Sequence, residues 1–147
     1  VNELHKQRIR HLIALLRVRK PEKFVIVDWF DENWIEQNYP KKPLSCETPA
    51  CAMGLACLDR EFNKQGLTAA ERNGIITPVH DNSDTGDSVV GNDIAQSFFG
   101  IPGAQARFIF FDAGYLCDSE KITPDMVADK LERLLRGIMP AHIEDMG

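Results

Sequence analysis

CETPACAMGLACLDREF, residues 46–62, carries three of the chain's four cysteines. Thr48 followed by Pro49 has the form of a helix start. A threonine side chain caps free N–H groups, and proline at the first helical position has no N–H to leave unpaired. Cys51, Leu55, Leu58 and Phe62 recur at helical spacing, and Gly66 supplies a stop. Ala50, Ala52, Met53, Gly54, Ala56 and Cys57 make the first turns small or apolar on every side, the pattern of an element buried all round. The expectation is a central buried helix over residues 49–65.

Two amphipathic helices flank it. Over residues 3–19, Ile9, Leu12, Ile13 and Leu16 form one face, shared by His5, with Lys6, Arg10 and Arg17 as a basic stripe beside it. Near the C-terminus, Thr123-Pro124-Asp125 starts a helix whose stripe is Val127, Leu131, Leu134, Leu135 and Ile138. Residues 139–147 read as a frayed tail. Between these, Phe24–Val27 and residues 75–79 favour short strands, joined in a small sheet by Val89-Val90. Residues 31–45 read as a loop punctuated by Pro40 and Pro43. The capping-box spacing of Thr68 and Glu71 predicts a short helix at 69–73. Asn92 caps a helix ending at Gly100, and another fits 102–110. The fold class is α+β, mainly helical, in one domain spanning 1–147.

The 147 residues are 44% apolar and 27% charged, the mix of a soluble globular domain. No apolar run approaches the ~18–20 residues of a membrane span. No apolar block with a small-residue cleavage site marks the first residues, so the cytoplasm is the expected location. The net charge of −5 conceals an asymmetry: residues 1–23 carry +5, leaving −10 for the rest. An acidic body argues against non-specific nucleic-acid binding. The basic first helix is suited to an acidic partner or to that acidic body.

The cysteines and the polar loop raise four chemistries. Cys46-x4-Cys51-x5-Cys57 is not zinc spacing, and on one helix Cys51 and Cys57 point about 120° apart; no metal is expected. Cys51 near a helix start is where N–H groups lower a thiol pKa, and His80 with Asp81 or Asp84 could complete a nucleophile, base and orienter. Against that, Cys51 shares its stripe with Leu55, Leu58 and Phe62. A Cys46–Cys51 redox pair lacks the Cys-x-x-Cys spacing. Residues 81–92 lack the final Glu of a calcium loop, having Asn92 there. No glycine pattern supports a nucleotide, so no cofactor is expected. Trp29 and Trp34, and the stripe Lys6, Arg10 and Arg17, are the candidate binding residues.

Phe24, Ile26 and Trp29, then Cys46, Thr48, Ala50, Cys51, Gly54 and Ala56, then Phe99-Gly100-Ile101, Ala106, Phe110, Thr123 and Ala128, resemble a loose group of small uncharacterised bacterial and phage proteins. Their shared feature is Cys-x-Thr-x-Ala-Cys-x-x-Gly-x-Ala. Glu47 stands where that pattern has Gly. The resemblance implies an origin near mobile elements and carries no activity. The expected function is a non-enzymatic cytoplasmic protein acting by protein–protein contact, as a phage or mobile-element accessory factor does. Its partner is another protein, with a second copy of the chain also open, and no membrane. The alternative is a cysteine hydrolase or acyl transferase with a Cys51/His80 dyad.

Overall fold

The computed structural model describes residues 2–81 and 86–138; the expected frayed tail lies outside them. Helix α1 (Glu3–Arg17) opens on Asn2, whose side chain accepts the His5 N–H, and buries Ile9, Leu12, Ile13 and Leu16. It packs against α7 (Pro124–Leu135), where the Thr123 hydroxyl accepts the Met126 N–H and Val127 and Leu131 are buried. The stripe of α7 ends earlier than the sequence suggests: Ile138 lies past the helix and is exposed. Arg17 reaches across to Asp129 at 2.7 Å, Asp125 at 3.1 Å and Glu132 at 3.2 Å. The basic first helix therefore meets the chain's own acidic surface through Arg17.

The central helix is two helices, and it starts later than its Thr-Pro signal. Helix α3 (Ala52–Leu58) follows Cys51, and α4 (Arg60–Lys64) follows Asp59, whose backbone is extended. Asp59 breaks the run because its carboxylate has other work: it accepts the Phe62 N–H at 3.0 Å and meets His11 at 2.8 Å. Thr48 does not cap, since its hydroxyl accepts the Ser45 N–H. Pro49–Cys51 instead run extended through a bend formed by residues 23–31. Ala50 donates to the Lys23 carbonyl and accepts from Val25, Pro49 accepts from Asp31, and Cys51 donates to Asp28 and Trp29. Arg19 fixes this crossing by donating to the carbonyls of Lys23, Cys46 and Thr48. The expected strand at 24–27 is thereby reduced to isolated bridges of Phe24 and Phe30 with Ala50.

A three-stranded antiparallel sheet is formed by β1 (Leu67–Arg72), β2 (Ile75–Asp81) and β3 (Ser88–Val90), in that order. β1 replaces the short helix expected at 69–73. Arg72 pairs with Ile75, leaving Asn73-Gly74 as a two-residue turn with φ of 53° and 80°. Two left-handed residues are the requirement of a type I′ hairpin, and Asn-Gly meets it at the lowest cost. Helix α2 (Glu32–Asn38) occupies part of the stretch read as loop. Helices α5 (Ile94–Ser97) and α6 (Gly103–Phe110) lie within the stretches where helices were expected, with Gly100 at φ 67° between them. Asn92 does not cap α5 but sits in the 3-10 turn Gly91–Asp93 that precedes it.

The core joins the inner faces of α1, α3, α6 and α7 to mutually perpendicular Phe62, Phe98 and Phe99 rings. The architecture is α+β and mainly helical. No helix of the described residues is long and apolar enough to cross a membrane.

Candidate functional site

The bend of residues 26–30, held by its crossing with Pro49–Cys51, forms part of a cleft of about 1080 Å³. Ile26, Phe30 and Met53 contribute core side chains to its lining, and α2 adds Ile35. The hairpin adds Ile75 and Ile76; α6 and the turn after it add Ala106, Phe110 and Phe111. Val27, Ile75 and Phe111 are among the chain's exposed large apolar residues, and all three border this cleft. Exposed large apolar side chains gathered on one cleft mark contact sites. The charged lining is lopsided: Asp28, Glu32, Glu36, Asp93 and Asp112 against Arg107. None of these six forms an ion pair with another of the described residues.

Glu32 and Glu36 lie one helical turn apart on α2, so both face the cleft together. The position of α6 depends on Lys130. This lysine interrupts the apolar face of α7 and is only 9% exposed. Its Nζ donates to the Phe108 carbonyl at 3.0 Å and to the Gly114 carbonyl, between the rings of Phe108 and Tyr115. Burial and the nearby charge of Arg133 push its pKa down to about 8. The two carbonyls and two ring faces act the other way, as acceptors for the charged ammonium.

Cys51 lines the cleft, but as the residue before α3 rather than within its first turn. It is buried, and burial pushes its thiol up to about 11; the N–H groups of Gly54 and Met53 oppose that shift without overcoming it. The sequence argument for a low thiol pKa at a helix start fails here because desolvation outweighs the N–H groups. Cys57 is raised as well, chiefly by burial. His80 lies outside the cleft lining. Its Nδ1 shares a hydrogen bond of 3.0 Å with the Ser97 hydroxyl, and its ring stands edge-on to Phe98. Asp81 accepts from the Ser88 hydroxyl and faces a smaller, polar hollow bordered by Arg8 and Lys64. No hydrogen bond joins Cys51, His80 and Asp81 to one another among the described residues, so these three are not brought together as a nucleophilic site; Asp84, the other candidate orienter, lies outside the described residues.

Trp29 lines the cleft; Trp34, on the same segment, does not. Lys6, Arg10 and Arg17 lie on α1, which contributes nothing to the lining. Arg10 pairs with Glu3 at 3.6 Å, and Arg17 is held by α7. Sequence reasoning found Trp29 but missed Glu32, Glu36, Arg107 and Phe111. The alternation of acids and apolar residues in DWFDENWIE was a signal for the first two; nothing local links them to α6. Compared with known proteins, the chain matches no family model, no curated protein and no solved structure.

Proposed function

We propose that the protein is a non-enzymatic, cytoplasmic module that acts by protein–protein contact, with the cleft beside Trp29 as its docking surface. The observation that carries this reading is the coincidence of a large cleft with exposed Val27, Ile75 and Phe111 on its border. An apolar groove with polar edges is the form in which a partner's side chains are bound. The raised thiol of Cys51 supports the same reading, because a nucleophile needs the thiolate. The resemblance to small bacterial and phage proteins is what points to a mobile-element accessory factor.

The test is the native size of the chain in cells that make it. Gly103 borders the cleft, and a Cβ added there meets nothing within 4 Å, so Gly103→Trp is the variant chosen to place a bulky ring at the cleft's edge. The expected result is a complex larger than the 16.6 kDa chain. It persists with Cys51→Ser and disappears with Gly103→Trp. A chain that runs alone, or a complex indifferent to Gly103→Trp, contradicts the proposal.

A further inference from the structure

We infer that the segment docking in this cleft is a positively charged amphipathic helix of a partner protein, with Lys or Arg beside an apolar stripe; this rests on the docking reading above. The cleft lining holds five carboxylates and one guanidinium, a local balance of −4. The chain has 17 Lys and Arg residues, and Arg107 alone among them lines this surface. The acids are not consumed internally. Carboxylates outside the cleft do meet cations in places: Arg17 holds three, Lys23 meets Glu47, and Lys64 meets Glu61. A low-dielectric apolar floor beside unpaired charge of one sign focuses the field on whatever enters.

The apolar floor selects further. A hydrophilic polycation would leave Ile75, Phe110 and Phe111 without partners, whereas an amphipathic helix covers them with its i, i+3, i+4, i+7 face. Its flanking cations then meet Glu32 and Glu36 on α2, and Asp93 and Asp112 on other segments. Phosphate-bearing ligands are disfavoured by the same charge. Such complementarity raises the association rate and sets partner choice more than it raises affinity, and it weakens with salt.

The experiment is selection from a randomised helical peptide library displayed against the full chain. Selected peptides are then measured by fluorescence anisotropy. The expected peptides are cationic and amphipathic. Their affinity falls on the order of tenfold in Glu32→Gln/Glu36→Gln at low salt, falls less at high salt, and is lost in Gly103→Trp. Ile75→Asp, at a residue 60% exposed, is a second cleft variant that does not rely on position 103. Neutral or acidic peptides that still require the open cleft overturn the charge inference and leave the docking reading standing. No enrichment, or binding unaffected by both cleft variants, overturns the docking reading itself. Self-association abolished by Gly103→Trp assigns the cleft to a second copy and overturns the inference.

Discussion

The α-carbon of Gly54 rests against the carbonyl of Trp29, and a Cβ added at Gly54 would overlap that oxygen. The same oxygen accepts the Cys51 N–H at 3.2 Å, so it is fixed from two sides. Close approach of backbone to backbone is what glycine permits here, and it seats the bend that carries Trp29 into the cleft.

Gly54→Ala therefore forces the bend away from α3. Overpacking of this kind costs about 1–3 kcal/mol, and a backbone neighbour relaxes less than a side chain does. Urea denaturation should show a lower midpoint, accompanied by a change in tryptophan emission that is retained when Trp34 is replaced by Phe. An unchanged midpoint would show that the bend moves freely and that the cleft wall is not fixed by α3.

Alkylation should divide the cysteines two and two. Cys46 and Cys117 are exposed; Cys51 and Cys57 are buried, with thiols raised by burial. Iodoacetamide at pH 8 should label the first pair within minutes and the second only on unfolding, read by peptide mass spectrometry. Rapid labelling of Cys51 in the folded chain would revive the nucleophile reading.

Lys130→Met should loosen α6. It leaves the carbonyls of Phe108 and Gly114 without their shared donor in a buried place, at a cost of about 1–3 kcal/mol. Hydrogen exchange should accelerate in α6 and the turn after it, ahead of α3. A variant more stable than the parent would mean that burying the ammonium costs more than its carbonyls and rings return.

Acid should destabilise the protein through His80. Burial first, and the charge of Arg8 second, hold this imidazole below the ordinary value of 6.5, with Asp81 acting weakly in the other direction. His5 is lowered as well, chiefly by burial. The unfolded chain then takes up protons that the folded chain refuses, so stability falls as pH drops below about 6.5 and stops falling once the folded-state values are passed. The urea midpoint should decrease from pH 7.5 to 5.5, and His80→Gln, which can still hydrogen-bond Ser97, should show a smaller decrease. Equal losses in both proteins would place the acid sensitivity elsewhere.

The flanking helices were legible because periodicity and capping agreed: Ile9, Leu12, Ile13 and Leu16 on one side, Thr123 with Val127 and Leu131 on the other. The centre was harder because local signals competed. Thr68 and Glu71 suggested a helix, yet Asn73-Gly74 closes a hairpin over the same residues. Thr48-Pro49 suggested a helix start, yet Arg19 and the 23–31 bend hold that segment extended. The cleft was the least legible feature. It joins residues from 26 to 112 and exists only after every segment is placed.

The most direct test of the docking cleft is a photo-crosslinking amino acid at Ala104, on its lining, in the chain expressed in its own cells. The account predicts a discrete adduct with another protein, abolished by Gly103→Trp and absent when the crosslinker sits at exposed Lys64, outside the lining. No adduct at Ala104, or equal adducts at both positions, would contradict it.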